Sequence, residues 1–61
     1  MSWVAVNKKG LEYVYMFKPW RNKHHGSWDG CGCIEIPQGS IKKLAGKALS
    51  WEDEPVELKE E

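Results

Sequence analysis

The fold is decided by the stretch from residue 11 to residue 17, Leu-Glu-Tyr-Val-Tyr-Met-Phe, which has the most regular pattern in the chain. Its odd positions are apolar or aromatic, and they alternate with Glu12, Val14 and Met16. A period of two residues with aromatic and β-branched side chains predicts a strand. Residues 3–7, Trp-Val-Ala-Val-Asn, predict another strand, and Asn7-Lys8-Lys9-Gly10 is typical of a turn between the two. The two strands are therefore predicted to form a hairpin.

The second half of the chain predicts one more strand and a short helix. Residues 31–36 have strand character, and Pro37 ends that strand. Ser40 is suited to cap a helix over residues 41–45, which Gly46 would close. Two extended pieces, 49–51 and 56–58, are expected to flank a turn.

The expected fold class is therefore α+β, a small antiparallel sheet of three to five short strands with one short helix packed on one face. It forms a single domain over residues 1–58, and the acidic C-terminus, 59–61, is expected to fray.

A chain of 61 residues must fold around a small core. A domain of this size buries only about 60% of its unfolded surface, so its stability is marginal. Seven aromatic residues supply large buried areas. They also exceed what so short a chain can enclose, which favours a homodimer. The expected core comprises Val4 or Val6, Tyr13 or Tyr15, Ile34, Ile36, Ile41, Leu44 and Val56.

Charge is unevenly distributed, although the formal net charge is zero. Up to Lys47 there are eight Lys or Arg and three acids, whereas from Ala48 onward there are six acids and one Lys. Such asymmetry indicates either a basic binding face with an acidic interaction tail, or a tail that folds back onto the body. No run approaches the about 20 apolar residues of a membrane span, and the first residues lack the pattern of a signal peptide. We therefore expect a cytoplasmic protein without a membrane partner, in which Cys31 and Cys33 are free thiols.

Residues 18–30 are predicted to be a loop, and its basic-aromatic part, 18–28, is the first candidate for a binding site. Cations attract phosphates, and indole rings stack on nucleic-acid bases. The candidate ligand- or partner-binding residues in this loop are Trp20, Arg21, Lys23, His24, His25 and Trp28. The alternative is that the two tryptophans only pin a long loop to the sheet.

An acidic turn beside Trp51 is the second candidate, because acids around an aromatic residue suit docking on a basic partner. Its candidate residues are Glu52, Asp53 and Glu54. The alternative is a solvated turn.

The candidates for metal binding and for catalysis are the same four side chains, His24, His25, Cys31 and Cys33. Zinc accepts four such ligands, but their spacing is unlike that of structural zinc sites. Cys with His can also form a nucleophile and base, but a chain this short has little room for a pocket that excludes water. We therefore expect no metal, no cofactor and no catalytic residue, and we expect that the chain is not an enzyme.

Two segments carry a resemblance. Residues 36–44, Ile-Pro-Gln-Gly-Ser-Ile-Lys-Lys-Leu, and residues 49–58, Leu-Ser-Trp-Glu-Asp-Glu-Pro-Val-Glu-Leu, resemble short uncharacterised proteins of gut Bacteroides-type bacteria and their phages. The opening Trp-Val-Ala and the Tyr-rich strand are similar too, whereas residues 18–33 match least. The resemblance implies a phage or mobile-element context but transfers no functional residues.

In that context a small protein often disarms a host defence, either by capping a host protein or by sequestering a signalling nucleotide. The leading expectation is a non-enzymatic binding protein that occupies a host protein in a counter-defence role. The alternative is a nucleotide or nucleic-acid binder that uses loop 18–28.

Overall fold

The computed structural model describes residues 2–59 and contains two antiparallel sheets and a short helix. The elements are β1 (Trp3–Val6), β2 (Glu12–Tyr15), β3 (Trp20–Asn22), β4 (Ser27–Asp29), β5 (Ile34–Ile36), α1 (Ser40–Ala45) and β6 (Val56–Glu57). The main sheet has the order β5-β2-β1-β6, and β3 pairs with β4 in a sheet of two strands. The predicted α+β class is confirmed. Of the segment expected to fray, residues 60 and 61 lie outside the described residues.

The predicted hairpin of β1 and β2 is confirmed, with Trp3 opposite Tyr15 and Val6 opposite Glu12. Its turn is shaped by Asn7, whose side-chain Oδ1 accepts hydrogen bonds from the N–H groups of Lys9 at 2.9 Å and Leu11 at 3.0 Å. Gly10 has a φ of 86°, in the left-handed region that favours glycine. The strand itself ends at Tyr15, two residues earlier than the sequence pattern predicts.

Helix α1 covers one face of the main sheet. Val4, Val6 and Ile41 are buried there, as the sequence predicts. Six further apolar residues are partly buried around them: Val14, Ile36, Ala45, Leu49, Val56 and Leu58. The expected core residues Ile36 and Val56 therefore contribute to this cluster from the two outer strands.

The start of α1 is fixed from the sheet, not by Ser40. The N-cap residue is Gly39, and no capping side chain next to it in sequence forms a hydrogen bond with the first turn of the helix. The prediction of a Ser40 cap is therefore wrong. Instead the carboxylate of Glu12 accepts hydrogen bonds from the N–H groups of Gly39 and Ile41, both at 2.9 Å. A charged acceptor at a helix N-terminus satisfies donors that the helix leaves unpaired. Gly46 closes the helix in the left-handed conformation, as predicted.

The opposite face of the main sheet is covered by a second hairpin, where the sequence predicts a loop. Residues 20–29 pair as β3 and β4, with Trp20 opposite Asp29 and Arg21 opposite Trp28. Trp28 is buried with Ala5 and Tyr15, and its indole N–H donates to the carbonyl of Val6 at 2.8 Å. The prediction of an unstructured segment over residues 18–30 is therefore wrong, because contacts with the main sheet stabilise this hairpin.

Two of the expected core residues are on the surface instead. Ile34 is 67% exposed because β5 is the outermost strand of its sheet. Leu44 is 55% exposed, since α1 turns Ile41 and Ala45 toward the sheet.

The bounds of two extended segments also differ from the prediction. The third predicted strand begins at Ile34 rather than at residue 31, because the chain bends at Gly32 with a φ of 65°. Residues 49–51 form no strand. The described residues include no helix with the length and apolar character that crossing a membrane requires.

Candidate functional site

The β3–β4 hairpin separates the predicted basic-aromatic residues onto two faces. Neighbouring side chains of a strand point to opposite sides of its sheet. Arg21 and Trp28 are paired and point toward the main sheet, where Trp28 is buried. Trp20 points the other way and is 62% exposed. The two tryptophans of the predicted loop therefore differ, because Trp28 belongs to the core and Trp20 to the surface.

Arg21 joins the two predicted binding segments to each other. Its guanidinium carbon lies 4.7 Å from the ring centroid of Trp28 and 4.8 Å from that of Trp51. The same group donates to the carbonyl oxygen of Asp53 at 3.2 Å and to the carboxylate of Glu54 at 3.5 Å. The acidic turn thus folds back onto the body at this point, and Arg21 is engaged in holding it there. Glu52, Asp53 and Glu54 are themselves exposed.

The other predicted residues, Lys23, His24 and His25, are exposed at the tip of the hairpin. The two imidazole rings contact each other edge to face, with centroids 4.8 Å apart. Cys31 and Cys33 are also exposed, but they lie beyond the far end of β4, which spans about 10 Å. The structure therefore does not bring the histidines and thiols together. Within residues 2–59, no three His, Cys, Asp or Glu side chains converge as ligands for a metal ion.

Four large exposed apolar side chains lie at one end of the molecule, and we call this surface the apolar end. They are Met16, Phe17, Trp20 and Ile34, each more than 60% exposed. Met16 and Phe17 directly follow β2, Trp20 begins β3, and Ile34 begins β5.

Backbone contacts bring the strand ends of this surface together. The N–H of Met16 donates to the carbonyl of Cys31 at 3.3 Å. Gly30 packs so closely that a Cβ there would lie 3.1 Å from the Tyr15 ring and 3.3 Å from Pro19. The end of β2, the start of β3 and the segment between β4 and β5 thus lie close together at this end of the molecule. No protein-family model matches the chain, and no curated protein or solved structure matches it significantly.

Sequence reasoning identified Trp20 but missed the rest of the apolar end. The alternation of residues 11–17 predicted Met16 and Phe17 inside a strand, and Ile34 was assigned to the core. Gly32 is a local signal that could have indicated otherwise. A Cβ at this position would lie 3.0 Å from the Cβ of Met16, and the left-handed φ of Gly32 interrupts the pairing at the sheet's edge.

Tyr15 forms a buried support beneath the apolar end. Its side chain is only 3% exposed, and its hydroxyl donates to the carbonyl of Trp28 at 3.4 Å. Burial, with smaller contributions from Cys33, Tyr13 and Asp29, raises the pKa of Tyr15 from 10.0 to about 12. The phenol is therefore neutral at physiological pH and links the main sheet to the hairpin that carries Trp20. At the rim, the ammonium of Lys18 lies 5.5 Å from the centroid of the Trp3 ring.

Proposed function

We propose that the chain is a non-enzymatic binding protein that occupies a partner protein through its apolar end. The observation that carries the proposal is that four large apolar side chains, Met16, Phe17, Trp20 and Ile34, are exposed near the strand ends at one end of the molecule. Fully burying such a side chain stabilises a complex or a core by about 1.5–3 kcal/mol. This small domain nevertheless leaves four of its large apolar side chains exposed at one end. Exposed apolar side chains that are concentrated in one region of a molecule are typical of an interaction surface.

The residue types and their support favour protein recognition. Aromatic residues and Met are enriched at protein interfaces, and Trp is enriched among the residues that contribute most of the binding energy. Trp20 is held by a paired strand, and the segment beside it packs on the buried Tyr15. A surface built on fixed elements loses little conformational entropy when it binds. The apolar end therefore has the composition of a binding site, and Trp20 is presented from a fixed element.

A host protein is the proposed partner, and interference with a host defence in the cytoplasm is the proposed role. Both rest on the resemblance to proteins of bacteria and their phages. The competing occupant of the same surface is a second copy of the chain, because two apolar ends would cover each other in a homodimer.

The alternative function, binding of nucleotides or nucleic acid by loop 18–28, has less support from the geometry. Arg21 and Trp28 would supply a cation and a stacking ring, but both contact the protein's own side chains.

Affinity measurements on surface variants test the proposal. Trp20→Ala and Phe17→Ala should weaken binding to the partner isolated from the host by at least about 2 kcal/mol each, the size of an interface hot spot. The matched control is Leu44→Ala, which truncates an exposed apolar side chain on the helix. Each of the three variants should lose less than about 1 kcal/mol of stability. Equal affinities for the parent, Trp20→Ala and Phe17→Ala would contradict the proposal.

A further inference from the structure

A second surface lies at the opposite end of the main sheet, where the β1–β2 turn meets the tip of the β3–β4 hairpin. The two turns are joined by the N–H of Lys8, which donates to the carbonyl of Gly26 at 2.9 Å. A cleft of about 350 Å³ opens beside this contact, and we call it the basic cleft. Its walls include Lys8, Lys9, Leu11, Tyr13, His25 and Ser27.

Both turns that form the basic cleft are held by asparagine side chains. Asn7 accepts hydrogen bonds from the N–H groups of Lys9 and Leu11 on one side. On the other side, Asn22 accepts from the N–H of His25 at 3.2 Å, and its amide donates to Asp29 at 2.9 Å. The positions from which the lysines and the imidazole project are therefore fixed before any ligand arrives.

The lining of the basic cleft combines positive charge with one aromatic ring. Lys8, Lys9 and His25 are exposed cation or donor groups, and no carboxylate is among the described residues that line it. Tyr13 is half-buried and offers its ring beside Leu11. Lysine ammonium groups bind phosphate, and an aromatic face stacks on a nucleobase. Ser27 adds a hydroxyl that can donate to a phosphate or a sugar.

We infer that the basic cleft binds a small phosphate-bearing aromatic molecule of mononucleotide size. Its volume lies at the lower end of the range of about 300–1,000 Å³ for ligand sites. The neighbouring cleft of about 620 Å³ shares Asn7 and Lys8 but is lined by Glu12 and Glu52. A polyanion that continued past Lys8 would meet these carboxylates, which favours a mononucleotide over a nucleic acid. This site is separate from the apolar end, and its binding does not depend on a protein partner.

Isothermal titration of the purified chain tests the inference, with AMP and GMP as probes and adenosine and inorganic phosphate as partial ligands. At least one mononucleotide should bind at one site per chain, and each partial ligand should bind about tenfold more weakly, since each lacks one set of contacts. Lys9→Gln should weaken binding by about tenfold without altering the fold, because the Lys9 side chain is exposed. Tyr13→Leu should weaken the binding of the mononucleotide but not that of inorganic phosphate.

The matched control is Lys43→Gln, which removes the same charge from the exposed side of α1 and should leave the affinity unchanged. Absence of binding by both mononucleotides would overturn the inference. An equal loss of mononucleotide affinity in Lys43→Gln and Lys9→Gln would also overturn it. The same holds for an equal affinity of the parent for inorganic phosphate and for the mononucleotides. Tighter binding of an eight-nucleotide oligothymidylate than of either mononucleotide would instead show a nucleic-acid site. Trp20→Ala, which tests the apolar end, should not change any of these affinities.

Discussion

Replacing Arg21 with Met should destabilise the protein far more than the loss of a surface charge does. The Arg21 side chain is 21% exposed and packs against the rings of both Trp28 and Trp51, which also contact each other. Two cation–π contacts contribute about 0.5–1 kcal/mol each, and more where water is excluded. The hydrogen bond to the Asp53 carbonyl adds about 1 kcal/mol, while the pair with the 83% exposed Glu54 adds little. Because Met keeps part of the packing, we expect a net loss of about 2 kcal/mol.

Urea unfolding followed by tryptophan fluorescence measures this loss. A domain of this length has a stability of about 3–9 kcal/mol, so the expected change is a large share of the total. It corresponds to a decrease in melting temperature of about 8–16 °C. Lys23→Met, an exposed cation on the same hairpin, is the matched control and should cost less than about 0.5 kcal/mol. If Arg21→Met unfolds within about 0.5 kcal/mol of the parent, the acidic turn is not held to the body by this contact.

Three further predictions concern stability. Ile41→Ala should lower the free energy of unfolding by about 2–5 kcal/mol, because Ile41 is 1% exposed, whereas Leu44→Ala on the same helix should lower it by less than about 1 kcal/mol. Similar losses for the two variants in urea titrations would contradict the orientation of α1. Glu12→Ala removes the acceptor of two N–H groups at the start of the helix, so it should lower the free energy of unfolding by about 1–2 kcal/mol. Hydrogen exchange of the Gly39 and Ile41 amides should become faster. Unchanged exchange would show that the carboxylate does not cap the helix. The pKa of Tyr15 is raised from 10.0 to about 12, so the stability that its neutral form contributes is complete below pH 10 and is lost as the pH rises through 12. The difference in unfolding free energy between the parent and Tyr15→Phe should therefore shrink between pH 10 and 12. A constant difference would exclude this linkage.

Local patterns were sufficient to predict the β1–β2 hairpin and the position of the helix. Alternation over residues 11–17 and the turn at Asn7 depend on neighbours in sequence, and so does the left-handed Gly46 that ends α1. The β3–β4 hairpin could not be predicted in the same way. Its strands have three residues each, and Trp28 is fixed by a hydrogen bond to Val6, which is 22 positions away. Short strands stabilised by distant contacts leave little trace in local sequence.

The candidate site was predicted only in part, for a related reason. Alternating apolar residues predict a strand but do not tell whether it lies at the centre or the edge of a sheet, so Ile34 was placed in the core. Local sequence predicts a free cation at Arg21, because its contacts with Trp51 and Glu54 join segments about 30 residues apart. The apolar end therefore shares only Trp20 with the basic-aromatic loop that the sequence predicts as a binding site.

Site-specific photo-crosslinking in host cells tests most directly whether the apolar end binds a protein. A photoreactive phenylalanine analogue would replace Phe17 or Trp20 in one pair of variants, and Lys42 on the exposed side of the helix in the control. We expect positions 17 and 20 to crosslink to the same single host protein, and position 42 to give no such product. A crosslinking pattern that is the same from all three positions, or no product from positions 17 and 20, would contradict the assignment of the apolar end as the binding surface.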